Sequence, residues 1–384
     1  MLLFSILFLS SISLFPRELL IGIVPSLSEH FSTFLLPIEL SVGFFTIGSG
    51  VSQLIAGGLG DTLNKKTILL WGSLFIIIGN ILFFISDNSF VFLLTRFIVG
   101  IGAGIFTVLA RALAAEYYQG EKLLKVMSWI SMSTTFFPLI TPILGSFILT
   151  YFGLTWEFVL LIIMGIFSFL CITQISLPKV EKTDRYENIF ISMLNNFTCV
   201  LKEKKCIPPM LVSALFFGCG IGYLTISTDL LTHFYNIGNL SLGYFFWPIP
   251  IGYFIGTFFA TKFFSFFENK NGYQRLVIFN IFFLIVVYVF KESFFLFEVF
   301  VFIFFLTSGL CVPFLNKMSL SAQDKTAAAS SILGFSRTLL SLIYAFIVSI
   351  FFHGFLSVIL MFTITFCLII YFLSRINREK CRSF

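Results

Sequence analysis

Runs of about twenty predominantly apolar residues recur along almost the whole of this 384-residue chain, each long enough to cross a hydrocarbon layer of roughly 30 Å as a helix. A chain dominated by such runs folds around lipid rather than around a single water-shielded core. Its 58% hydrophobic and 11% charged residues depart from the roughly 25% charged residues of soluble domains in the same direction. The expected fold class is an all-α, polytopic membrane protein with twelve transmembrane helices.

The spans read from the apolar runs are 2–25, 37–57, 67–86, 90–113, 126–150, 154–177, 207–233, 241–264, 274–291, 294–316, 328–352 and 355–376. The longest polar interruption, Pro178 to Lys205, divides them six and six, giving expected domains at 1–177 and 207–384 joined by a linker at 178–206. Within the linker, Ile189, Ile191, Met193, Leu194 and Phe197 predict a short amphipathic helix lying at the membrane surface. No basic segment or small-residue cleavage site marks the N-terminal run, so Leu2 to Val24 is read as a retained first helix.

Lysines and arginines set the orientation. They gather in alternate connections and the C-terminal tail, with only Lys291 in a connection on the other side, so both termini are expected in the cytoplasm. This use of basic residues accounts for the net charge of +6 without nucleic acid. Seven cysteines lie scattered with no Cys-x-x-Cys pair, and neither a metal site, a disulfide framework nor a cofactor is expected. The 56 phenylalanines read as lipid-facing bulk.

Small residues recur at helical spacing in some spans and not in others. The second span carries Gly43, Thr46, Gly50, Gln53 and Gly57, the eighth Pro248, Gly252, Gly256 and Ala260, and the eleventh Ala327, Gly334, Thr338, Ser341 and Ala345. Such stripes let helix backbones approach closely. With the proline-broken fifth span, these helices are expected to form the tight seams, and spans 3, 6, 9 and 12 the periphery.

Charges inside spans are costly, roughly 2.5–3.5 kcal/mol even on lenient insertion scales, and mark function by default. Arg96 lies inside the fourth span, on one face with Gly100, Thr107 and Arg111. Glu18 lies deep in the first, with Ser11, Gly22 and Pro25 on its face; Arg17 and Arg96 are its candidate basic neighbours, with Arg96 the expected partner. Asp229 shares a face with Gly222 and Thr225 in the seventh span. Arg337 is expected to snorkel toward the cytoplasm. Glu39 and Glu157 are read as acids at external helix ends, which a helix N-terminus tolerates. No Ser/His, Cys/His or His/Asp/Glu constellation is present inside the spans, which argues against an enzyme.

These features together resemble the major facilitator superfamily of secondary transporters, and within it the Bcr/CflA type of drug-efflux protein. Gly57-Gly-Leu-Gly-Asp61 with Lys65-Lys66 is similar to the superfamily's loop signature Gly-x-Leu-Ala-Asp-Arg-x-Gly-Arg-Arg, with Thr62 and Asn64 as departures. Arg96-Phe-Ile-Val-Gly100 resembles the Arg-x-x-x-Gly of helix 4, implicated in proton coupling in such antiporters. Pro138-Leu-Ile-Thr-Pro142-Ile-Leu-Gly145 resembles the antiporter signature of helix 5; Trp156-Glu-Phe158 is similar to the Gly-Trp-Arg-Trp-x-Phe that follows, with Glu157 in place of arginine. Ala327 to Gly334 resembles the family's helix 11 segment.

The resemblance implies two six-helix bundles with helices 1, 4, 7 and 10 around a central cavity, and helices 2 with 11 and 5 with 8 meeting between them. Ser11, Gly22, Gly100, Thr107, Gly222, Thr225, Asp229, Thr307 and Cys311 would then line the cavity. Glu18 and Arg96 would couple protons, and Gly57, Asp61, Lys65, Lys66, Arg111, Glu116, Pro138, Pro142 and Gly145 would govern the conformational switch. The implied protein is a monomeric, proton-coupled exporter of drugs or small amphipathic metabolites in the inner membrane. A dedicated metabolite or siderophore carrier is the alternative within transport, and a membrane-embedded enzyme or sensor the alternative outside it.

Overall fold

The computed structural model describes residues 2–21, 23–31, 35–86, 88–174, 189–203, 205–235, 247–263, 272–321, 325–351 and 354–381. Among them are fifteen α-helices and no strand: α1 (Leu2–Ile12), α2 (Phe15–Ile21), α3 (Val24–His30), α4 (Leu35–Gly60), α5 (Lys65–Ile81), α6 (Ser89–Tyr117), α7 (Gly120–Tyr151), α8 (Leu154–Gln174), α9 (Ile189–Lys202), α10 (Ile207–Asp229), α11 (Pro248–Phe259), α12 (Gly272–Val289), α13 (Phe294–Ser321), α14 (Thr326–Phe351) and α15 (Phe355–Cys381). Ten segments are long and apolar enough to cross a membrane, α1 and α2 counting together as one. The 32-residue α7 and the shorter apolar α11 occupy the remaining two expected positions; residues 241–246, before α11, lie outside the described residues.

The first span is not one helix. Ser10, Ser11 and Ser13 turn their hydroxyls back onto the carbonyls of Ile6, Leu7 and Ser10, at 2.7, 2.8 and 2.7 Å, and such back-bonding bends helices. Pro16 then has no N–H to continue the ladder. The chain leaves helical geometry at Ser13 and Leu14 and re-enters it as α2.

Two compact units emerge. Unit 1 comprises Met1–Tyr118, Ser133–Lys202 and Gln323–Phe335; unit 2 comprises Gln119–Met132, Glu203–Ala322 and Ser336–Phe384. In unit 1, α6 is the central strut, with α4 along one side and α5 along another. Glycine makes this possible: a Cβ on Gly100 of α6 would sit 2.2 Å from the Phe45 carbonyl oxygen of α4, and one on Gly48 of α4 2.3 Å from the Phe97 carbonyl oxygen. In unit 2, α11 and α13 meet in the same way, since a Cβ on Gly256 would lie 3.0 Å from the Gly309 Cα and one on Gly309 3.1 Å from the Gly256 Cα.

The stripe in the second span is divided by this packing. Gly57 and Gln53 face the start of α14, with a Cβ on Gly57 falling 2.0 Å from the Ser331 Cβ, whereas Gly43 meets nothing within 4 Å. The amphipathic α9 lies against the end of α4, where the Asn196 side-chain amide donates to the Gly58 carbonyl at 3.2 Å, while Ile191, Leu194 and Leu201 stay exposed.

Phenylalanine also fills the protein interior, contrary to its reading as lipid-facing bulk. Phe300 and Phe304 of α13 pack on Phe362 of α15, each with ring centroids 4.9 Å apart, and all three are fully buried. Edge-to-face packing of this kind adds about 0.5–1.5 kcal/mol per pair beyond burial. The outward faces of α12 do carry exposed Ile278, Phe279, Phe282 and Ile285, as a lipid-facing helix would.

Gly100→Ala is expected to destabilise the protein by about 1–3 kcal/mol, because its methyl group would collide with backbone rather than with a side chain that can rotate away. Gly43→Ala is the matched control. Thermal unfolding of both purified variants checks this, with a lowered Tm for the first alone.

Candidate functional site

The break in the first span places a backbone carbonyl where a buried cation needs one. Arg96, 1% exposed, reaches across from α6 and donates from one terminal nitrogen to the Pro16 carbonyl oxygen at 2.6 Å, while its guanidinium lies 5.4 Å from the Phe45 ring centroid. Its Nε and other terminal nitrogen have no hydrogen-bond partner among the described residues. Glu18 is not its partner. The Glu18 carboxylate is held by the adjacent Arg17, whose Nε donates to it at 2.9 Å and whose terminal nitrogen makes an ion pair. The expected Glu18–Arg96 contact is absent because the nearer arginine takes the acid and a main-chain oxygen takes Arg96.

A second acid occupies the same neighbourhood. Glu157, expected at a solvated helix end, lies in the first turn of α8 yet is 1% exposed, with neither carboxyl oxygen hydrogen-bonded among the described residues. The point that a Cβ on Gly145 of α7 would occupy is 3.4 Å from Glu157 Oε1 and 3.5 Å from the Leu19 side chain of α2. Glu157 thus sits against α2 one turn beyond the carbonyl that Arg96 holds. The only sequence sign of it was a glutamate where the resembling motif has arginine.

At the other end of α4, Asp61 covers the start of α14. Its two carboxylate oxygens accept from the backbone N–H groups of Ala327 and Ala328 at 3.0 and 2.9 Å. These are donors of the first turn, which have no partner within their own helix. Burial raises the Asp61 carboxyl above the ordinary carboxylate range, opposed by those two N–H bonds and by the charges of Lys65 and Lys325. Around it, Lys65 pairs with Glu116 at 2.6 Å, and Glu116 accepts from the Thr326 hydroxyl at 2.8 Å. Arg111 donates to the Ser330 hydroxyl at 3.3 Å, and Ser330 donates to the Val108 carbonyl at 2.8 Å. Lys66 turns away to the Thr173 carbonyl at 2.6 Å, and its backbone N–H is capped by Asn64 at 2.9 Å. Asp61, Lys65, Arg111, Glu116 and Gly57 therefore form one cluster around the α14 N-terminus.

The residues expected to line a cavity are distributed differently. Gly100, Gly222 and Cys311 are buried in helix packing, and Thr307 accepts from Asn280 at 2.9 Å between α13 and α12. Ser11 bonds within its own helix. Thr107 is half-buried and Thr225 exposed, each bonding the carbonyl four residues earlier. Gly22 and the side chains of Asp229, Pro138 and Pro142 lie outside the described residues. The snorkelling expected of Arg337 is also absent, since its guanidinium is bound to Ser213 and Asn316 in the middle of the span.

Removal of Asp61 by alanine is expected to cost the α14 N-terminus about 0.5–2 kcal/mol, the usual worth of a capping side chain, or roughly 2- to 30-fold faster amide exchange at Ala327 and Ala328. The pH dependence follows from the raised carboxyl. The closed arrangement holds more protons than the open one between the ordinary and the raised pKa, so the Asp61 contribution is largest below that window and shrinks as pH rises through it. Hydrogen exchange of wild type and Asp61→Ala at several pH values measures both effects.

Multidrug resistance protein MdtL of Shewanella oneidensis is 27% identical over 188 residues, covering 46% of this chain and 47% of the relative. Chloramphenicol resistance protein CraA of Acinetobacter baumannii is 23% identical over 238 residues, covering 62% and 57%. A bicyclomycin resistance protein homolog of Haemophilus influenzae is 26% identical over 213 residues, covering 54% and 52%. The chain spans about half the length of the curated relatives it matches. Among solved structures, the Escherichia coli fucose:proton symporter FucP superposes with a TM-score of 0.77 at 14% identity, over 98% of this chain and 97% of that one. A bacterial homologue of the iron transporter ferroportin in an outward-facing state superposes with a TM-score of 0.75 at 14% identity, over 98% of both chains. At such identities these two show the fold. The family model of the Major Facilitator Superfamily matches residues 6–346, and the chain, a multi-pass membrane protein, belongs to that superfamily.

Proposed function

We propose that this protein is a proton-coupled secondary transporter that exports drugs or small amphipathic metabolites by alternating access. It would act as a monomer in the inner membrane, with both termini in the cytoplasm. The observation that carries the proposal is the pair of incompletely partnered, buried charges beside α2: Arg96, two of whose nitrogens lack partners, and Glu157, whose carboxyl has none among the described residues. A group that takes and releases protons needs such enclosure, and intramembrane acids and bases mark relays of this kind. The relatives named for multidrug, chloramphenicol and bicyclomycin resistance support export of drug-like compounds.

In this reading Glu18 of α2 and Glu157 of α8 share the proton-handling role. Arg96 fixes the start of α2 through the Pro16 carbonyl. Protonation releases a carboxyl from its need for a counter-charge, which shifts the balance between conformations in which α2 packs differently. Asp61, Lys65, Arg111 and Glu116 act as the latch at the α14 N-terminus, and Gly145 supplies the space in α7 that Glu157 needs.

Everted membrane vesicles given an inside-acid pH gradient and ethidium as the probe test this. Wild type is expected to accumulate ethidium, and Glu157→Gln and Glu18→Gln each to lose at least tenfold of the gradient-driven rate while retaining gradient-independent exchange of labelled ethidium. Full gradient-driven accumulation in both variants would sink the proton-coupling assignment.

A further inference from the structure

Arg337 lies near the centre of the Thr326–Val348 span, and its immediate partners, all in unit 2, are neutral. Its Nε donates to the Ser213 hydroxyl of α10 at 3.1 Å, and one terminal nitrogen bonds both that hydroxyl and, at 2.5 Å, the side-chain oxygen of Asn316 in α13. Ser213 donates in turn to the same Asn316 oxygen at 3.2 Å, closing a triangle drawn from three helices. Tyr253 of α11 lies near enough to interact electrostatically with the guanidinium, and its phenol is bonded to Ser131.

The triangle orients the guanidinium and leaves its charge in place. None of the ion pairs among the described residues involves Arg337. The two acids on helices of the triangle are Glu298 of α13, eighteen residues before Asn316, and Asp229 of α10, sixteen residues after Ser213, roughly 27 and 24 Å along their helices at 1.5 Å per residue. A lone positive charge inside an apolar bundle is costly to keep. Ser213 and Asn316 are fully buried, whereas Arg337 is only half-buried, so one edge of the planar group is clamped and the other has access to open space. The free edge is the terminal nitrogen for which the described residues offer no partner. A rigid fork with one side fixed and one side free is suited to a carboxylate, sulfonate or phosphate, whose oxygens match its donors.

We infer that Arg337, positioned by Ser213 and Asn316, is a substrate subsite that holds an anionic group on the transported molecule. This deepens the transporter reading and rests on it: cargo would include amphipathic acids as well as neutral or cationic compounds. A residue that merely ties three helices together would have the same hydrogen bonds, but no preference for charge in a ligand.

Equilibrium binding of radiolabelled benzenesulfonate to the purified full chain, with its neutral analogue benzenesulfonamide as comparator, separates these roles. Wild type is expected to bind the sulfonate at least tenfold more tightly than the sulfonamide. Arg337→Gln is expected to abolish the preference. Arg337→Lys, which keeps the charge and loses the fork, is expected to retain a reduced preference, and it serves as the second variant if Arg337→Gln does not fold. Equal binding of the two probes by wild type overturns the subsite, as does an undiminished preference in Arg337→Gln. Equal weakening of both probes in Arg337→Gln and Arg337→Lys alike also overturns it, leaving Arg337 as a structural tie. Gradient-driven ethidium transport by wild type, measured in parallel, tests the transporter reading separately: transport without sulfonate preference removes only the subsite, and sulfonate preference without transport removes only the transporter reading.

Discussion

A helix that begins at the edge of a hydrocarbon layer presents backbone N–H groups that nothing apolar can satisfy, and several polar side chains of this protein answer that demand. At α14 the answer comes from Asp61, 266 residues away in the chain, which covers two donors with one carboxylate. At α5 and α6 it is local, from Asn64 to the Lys66 N–H and from Asn88 to the Val91 N–H. The remote cap differs in kind from the local ones, because it makes the integrity of one helix end conditional on the position of another. Lys65, Glu116, Arg111 and Ser330 gather around it because, once an acid is committed there, every neighbouring charge needs a place in the same network.

Buried charges divide into those with a charged or main-chain answer and those without. Asp61 belongs to the first group. Glu157 and Arg337 belong to the second, and Arg96 stands between, with one nitrogen satisfied by Pro16 and two unsatisfied. A protein stabilised only by burial would gain by replacing these three with apolar residues. In the proposed reading their presence is a standing demand for something mobile, a proton in one unit and a ligand group in the other.

The helical positions and the amphipathic α9 could be read from residue spacing, because length and period are local properties. Partners could not. Glu18 has two candidate bases, Arg17 beside it and Arg96 in the fourth span, and spacing alone neither chooses between them nor shows a carbonyl freed by Pro16. Glu157 looked solvated because it opens a helix, and only the packing of α2 and α7 around it encloses it. Arg337 looked able to reach water because an arginine side chain is long; the positions of Ser213 and Asn316, on helices distant in sequence, decide where it bends. The glycines of the second span were visible as a group, yet which of them meets α6 and which meets α14 depends on helix rotation, a tertiary quantity.

The glycine crossings also bear on how the protein meets bilayers of different thickness. A single helix accommodates hydrophobic mismatch by changing its own tilt. Where two backbones touch with no side chain between them, as at Gly48 and Gly100 and again at Gly256 and Gly309, neither helix can tilt without carrying its neighbour. Mismatch is therefore borne by α4 with α6, and by α11 with α13, as coupled pairs. Membrane thickness thus enters the mechanics of this protein through two paired struts rather than through independent rods.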